Sequence, residues 1–127
     1  MRKETRKICS AFINNRPARA ARTYTDGYTI WLHNHAIAWW DFPDNLRGKR
    51  VLHMNCCGYA TTTTKERLNG LLTLLGLGSQ YFTSNHQLYF GSKLRPVDSH
   101  ETITIDVDLA LELMNDNTPF HHHTIAA

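Results

Sequence analysis

No apolar run in this 127-residue chain approaches the ~20 residues that a membrane-spanning helix needs. The N-terminus, MRKETRKICS, has the charge of a secretory leader without the apolar stretch that would follow it. Cysteine is scarce and odd in number, three in all, and two form the vicinal pair Cys56-Cys57. That usage argues against a disulfide scaffold and for a reducing compartment. No CxxC or HxxxH spacing occurs, and no solenoid-type repeat is visible. With 42% hydrophobic and 20% charged residues the chain is globular rather than disordered, and its length suits one soluble domain, residues 1–127.

A net charge of +3 conceals a strong asymmetry. Residues 1–22 hold seven basic side chains (Arg2, Lys3, Arg6, Lys7, Arg16, Arg19 and Arg22) against Glu4 alone. From Asp98 to Ala127 there are six acidic residues and no Lys or Arg. A basic arm of this density can neutralise phosphates, but it can equally serve as a solvated face or pack against the acidic end. Pairing of basic arm and acidic tail between two copies would give a homodimer.

The pattern predicts an α+β fold. It has a mostly antiparallel sheet of two β-hairpins plus further strands, a capped amphipathic helix on one face, and a basic N-terminal helix. Residues 2–14 place Ile8 and Phe12 on one side and Arg2, Lys3, Arg6 and Lys7 on the other. PARAART then reads as a polar linker, closing segment 1–22. Within a core at 23–94, YTIWLH and AIAWW flank Asn34-His35, the length of a two-residue hairpin turn. That register pairs Ile30 with Trp39 and Trp31 with Ala38. It puts Tyr28, Ile30, Leu32, Ile37 and Trp39 on the core face, and Trp31, His33 and Trp40 on the other. DFPDNLRGK reads as a loop and RVLHMNCC as a strand. Thr63-x-x-Glu66 has the form of a capping box, followed by a leucine stripe at Leu68, Leu71, Leu72 and Leu75, with Gly76 placed to end the helix. YFTSNHQLYF repeats the hairpin pattern around Asn85-His86. The acidic extension 95–127 closes with TITIDVD as a strand, LALELMN as a short helix, and an irregular, mobile tail containing His121, His122 and His123.

The blocks TYTDGYTIWLHNHAIAWW, TTTTKERLNGL and LYFGSKL, in that order, resemble a group of small tailed-bacteriophage accessory proteins over residues 21–94. Those proteins share the TDG, a strand ending in Leu-His at a hairpin tip, Ile-Ala in the return strand, a Thr-Thr-[Lys/Arg]-Glu-Arg-Leu-Asn helix start and a final aromatic hairpin. The first turn departs from the pattern, with Asn34-His35 where a Gly-Asn type pair is expected. The resemblance implies a phage gene product acting in the bacterial host cytoplasm, and carries no activity with it.

Candidate chemistry is thin. Adjacent cysteines are poor co-ligands, so His33 or His35 with His53, Cys56 and Cys57 is a weak zinc set, and no metal or cofactor is expected. His33 could work as an acid-base group, but the only carboxylates near it in sequence are Asp26 and Asp41. Gly76-Leu77-Gly78 follows a helix instead of leading into one, unlike a phosphate cradle. The Thr61–Thr64 run does lead into a helix, where capping explains it. Trp31 and Trp40 with His33, beside Arg2, Lys3, Arg6 and Lys7, form the candidate binding surface. The expected function is non-enzymatic engagement or inhibition of a host protein or protein complex. A nucleic-acid-binding module on the same surface, a His-dependent small enzyme or nucleotide binder, and a virion component are the alternatives.

Overall fold

The computed structural model describes residues 1–41, 50–114 and 124–125. The chain begins with helix α1 (Lys3–Ile13), then runs through five strands: β1 (Ala18–Ala20), β2 (Thr23–Thr25), β3 (Thr29–Leu32), β4 (His35–Asp41) and β5 (Val51–Met54). Helix α2 (Thr62–Leu74) and strands β6 (Tyr81–Ser84), β7 (Gln87–Phe90) and β8 (Ser92–Pro96) follow. Strand β9 (Ile103–Asp106), helix α3 (Val107–Met114) and strand β10 (Thr124–Ile125) complete it. Among the described residues the strands form a seven-stranded sheet, ordered β1-β2-β3-β4-β5-β9-β10, and a separate three-stranded sheet, β6-β7-β8. Every pairing is antiparallel, so the fold is α+β as the pattern predicts.

One face of the large sheet is the core. Ile30, Leu32, Ile37, Ala38, Trp40, Leu52, Met54, Ile103 and Ile105 are buried there, with Ile8 and Phe12 of α1 and Leu68, Leu71 and Leu72 of α2 in the same core. The leucine stripe of α2 is thus buried as its spacing predicts, Leu75 included. The two helices end alike. Asn15 (φ 56°) and Gly76 (φ 88°) take the left-handed conformation just past the last turn. Arg16 N–H then reaches back to Ala11 O at 2.8 Å, and Leu77 N–H to Leu72 O at 2.8 Å. At the seam between the helices a Cβ on Gly70 would lie 2.3 Å from Thr5 Cγ2, so only glycine permits this approach.

Several local expectations need correction. The first hairpin turns on His33-Asn34 (φ 50° and 67°), one residue earlier than read, and Leu32 faces His35. A β-bulge then shifts the register: Trp31 faces Ala36 while Ile30 faces Ala38, leaving Ile37 as the extra residue. Ile37 and Ala38 are consecutive buried residues, so the alternation reverses beyond them. Trp40 faces inward and Trp39 outward, the opposite of strict alternation. Thr61, not Thr63, caps α2; its hydroxyl accepts from Thr64 N–H at 3.1 Å, and Glu66 turns instead to Thr5 and Arg67. PARAART is no linker, since it supplies β1, and β2 follows within it and TYT. Strand β8 was not anticipated, and Thr124-Ile125 pairs with β9 where an irregular tail was expected. His121, His122, His123 and most of the DFPDNLRGK loop lie outside the described residues. The second hairpin does turn on Asn85-His86 (φ 49° and 65°).

Candidate functional site

The outward face of the large sheet carries two cross-strand rows of rings. In the first, Arg19 on β1 faces Tyr24 on β2, which faces Trp31 on β3. The Tyr24 and Trp31 rings stack at 4.6 Å and 13°, and the Arg19 guanidinium sits over the tyrosine at 5.2 Å from its centroid. Strand pairing accounts for the row, because side chains facing each other across an antiparallel pair stand within contact distance. All three alternate with residues turned to the core side, and Trp31 and Tyr24 remain half-buried.

The second row is Trp39 on β4, His53 on β5 and Thr104 on β9. The Trp39 and His53 rings stack at 5.5 Å. His53 is held at both nitrogens, with Nδ1 2.8 Å from Thr104 Oγ1 and Nε2 3.0 Å from Asp41 Oδ2. A carboxylate, an imidazole and a hydroxyl in line have the connectivity of a nucleophile relay. Thr104 is only 6% exposed, however, and its hydroxyl is engaged by His53. The array fixes the imidazole against Trp39 and does not read as a catalytic centre.

The hairpin tip joins the first row to two clefts. His33 N–H donates to Arg22 O at 3.1 Å, which ties the β3–β4 tip to the β1–β2 turn. Between them lies an open cleft of about 400 Å³ lined by Arg19, Arg22, Tyr24, His33 and Asn34, with no acidic residue among the described residues of its wall. The cleft beyond His33, about 510 Å³, has Leu32, Ile37 and Cys56 in its lining, with His35 and Tyr59 alongside the start of α2. Burial, then the neighbouring Cys57, pushes the Cys56 thiol up to about 11, so it is no nucleophile at neutral pH.

The surface expected from the sequence is therefore split. Trp31 and His33 are on the outer face and its tip. Trp40 is 7% exposed on the inner face, stacked on Phe12 at 4.8 Å, with Nε1–H donating to Phe12 O at 3.1 Å. It belongs to the core and cannot share a platform with Trp31. Arg2, Lys3, Arg6 and Lys7 are exposed on α1, whose buried side (Thr5, Ile8, Cys9, Phe12) packs under the inner face. Their charges lie on the exposed side of the α1 segment, whereas Trp31 stands on the outer face of the sheet. The two carboxylates near His33 are also engaged elsewhere: Asp26 accepts from Tyr28 and Thr29 N–H at 2.9 Å, and Asp41 meets His53. Sequence reasoning left Tyr24 unremarked, counted Arg19 and Arg22 only in the basic arm, assigned Trp39 to the core and weighed His53 only as a weak metal ligand. The one local hint was TYT, a β-prone run in which threonines flank Tyr24, too short to show a period by itself.

Among the described residues no group of three His, Cys, Asp or Glu could hold a metal ion, and no helix is long and apolar enough to cross a membrane. Comparison with curated proteins and with solved structures gives no match. The family model described as Kyanoviridae Gp96 protein matches residues 1–109, a longer span than the 21–94 of the sequence resemblance. The chain belongs to that family of phage proteins.

Proposed function

We propose that this phage protein is a non-enzymatic binding module whose ligand in the host cytoplasm is nucleic acid, taken on the outer face of the large sheet. The observation that carries the reading is the Arg19–Tyr24–Trp31 row, in which a guanidinium and two stacked rings stand side by side beside a cleft that holds Arg22 and, among the described residues, no acid. Bases stack on aromatic faces whatever their sequence, and arginines neutralise the phosphates between them. The reading keeps Trp31 and His33 of the surface expected from sequence, drops Trp40, and assigns the α1 cations no direct part in stacking.

Fluorescence anisotropy of labelled DNA and RNA oligonucleotides at several salt concentrations tests it. Binding should weaken steeply as salt rises. Trp31→Ala should lower affinity by ~1–3 kcal/mol. Arg19→Ala and Arg22→Ala should each flatten the salt slope by about one unit. Absence of binding to every oligonucleotide at ~50 mM salt, where phosphate contacts are strong, would overturn the reading in favour of a host protein partner. The next step would then be affinity capture on the full chain.

A further inference from the structure

We infer that the outer face holds two separate base-stacking stations, one on Trp31 and one on Trp39, so that its ligand is a single strand with neighbouring bases drawn apart. The inference rests on the nucleic-acid reading above and sharpens it to one class of nucleic acid.

Each station is a tryptophan backed by a second ring. Trp31 is backed by Tyr24, and its neighbour in the row on β4 is Ala36, a small residue. Trp39 is backed by His53, and its neighbour on the other side is Thr29, again small. The backing ring of the second station is fixed, because His53 is bonded at Nδ1 by Thr104 (2.8 Å) and at Nε2 by Asp41 (3.0 Å). A pre-set ring loses little conformational entropy when a base lands beside it.

The spacing decides which nucleic acid fits. Trp31 and Thr29 are two residues apart on β3, and Thr29 faces Trp39 on the next strand. At ~3.4 Å per residue and ~4.8 Å between strands, the stations lie ~8 Å apart. Successive bases of a duplex strand are ~3.4 Å apart with both faces occupied. Seating two of them here would require unstacking and unpairing the duplex. A single strand meets the spacing without breaking any pair. The cations on the face stand at one end: Arg19 and Arg22 lie at the β1–β2 end, while Asp41 at the other end is taken up by His53.

The experiment is anisotropy of fluorescein-labelled oligo-dT and oligo-rU of increasing length, and of a blunt duplex, against the full chain and its Trp31→Ala, Trp39→Ala and Trp39→Phe variants. Single strands long enough to span both stations should bind at least ~10-fold tighter than duplex. Trp31→Ala and Trp39→Ala should each weaken that binding about 5- to 150-fold, with Trp39→Phe restoring most of it. Unchanged melting temperatures would show that the variants still fold. Equal affinity for duplex and single strand, or wild-type affinity in Trp39→Ala when Trp31→Ala is weakened, would overturn the two-station inference and leave nucleic-acid binding standing. Failure of every oligonucleotide to bind would sink both.

Discussion

An arginine only 4% exposed needs partners for its charge, and Arg67 finds them on two helices and a strand. Its Nε donates to Thr23 Oγ1 at 3.1 Å and its Nη1 to Thr5 Oγ1 at 2.6 Å and to Glu66 Oε1, while Thr5 Oγ1 also donates to Glu66. One side chain of α2 thereby ties α1 to β2. Burying a charge is unfavourable unless it is paired, and removing one partner leaves the others stranded. Arg67→Ala should therefore destabilise the fold by ~3–5 kcal/mol, as a shift of the urea midpoint at neutral pH. Arg67→Met combined with Glu66→Gln should recover a good part of that loss, since it removes the charge and its partner together. If Arg67→Ala unfolds at the wild-type midpoint, the cluster is not what joins the layers.

At the scale of elements, the α1–α2 crossing sets two effects against each other at Gly70. Alanine is worth ~1 kcal/mol more than glycine inside a helix. The new methyl, however, would sit 2.3 Å from Thr5 Cγ2, and Thr5 is pinned by Arg67 and Glu66. Overpacking at a seam that cannot yield costs ~1–3 kcal/mol. The clash should win, so Gly70→Ala lowers the urea midpoint; a raised midpoint would mean that the helices can part. This crossing was half legible beforehand. The leucine stripe gave the buried face of α2, and Ile8 and Phe12 gave that of α1, because period 3.6 survives in the residues themselves. The second hairpin was legible down to its Asn85-His86 turn. The first was not, because a bulge adds one residue, and a single added residue exchanges the faces of everything beyond it. Trp39 and Trp40 traded places for that reason alone, which took one of the two expected tryptophans out of the site. The α2 cap was misplaced among four consecutive threonines, any of which has the right hydroxyl. The choice of Thr61 follows from Glu66 being claimed by α1, a contact across 61 residues of chain that no local pattern displays. Arg19 and Tyr24 were hidden because strands of three residues are too short to show a period.

For the molecule as a whole, the core buries acids that are neutral at physiological pH. Burial first, and then the Glu66 carboxylate, pushes the Cys9 thiol up to about 12, with Arg67 pulling the other way. Cys56 is pushed up to about 11, and burial raises the Tyr81 phenol well above its ordinary value; its hydroxyl has no hydrogen-bond partner among the described residues. In each case the folded state keeps a proton that the unfolded chain gives up sooner. The unfolded thiols titrate near 9.0, so below that pH the stability they contribute is fully present. Above it the unfolded state binds fewer protons than the folded one, and stability falls as pH rises. The loss runs from about pH 9 until the folded value is passed, at up to ~1.4 kcal/mol per pH unit for each thiol. Tyr81 adds its own share above its unfolded value of 10.0. Urea midpoints at pH 7.5, 9 and 10.5 should thus be level over the first interval and drop over the second. Cys9→Ala should start from a lower midpoint, because the site sits at the helix seam, yet decline less steeply between pH 9 and 10.5. A Cys9→Ala decline parallel to that of the full chain would mean that Cys9 is not the group holding its proton. The alkaline loss would then belong to Cys56 and Tyr81, where the phenol's own burial and then the charge of Cys56 both hold its proton.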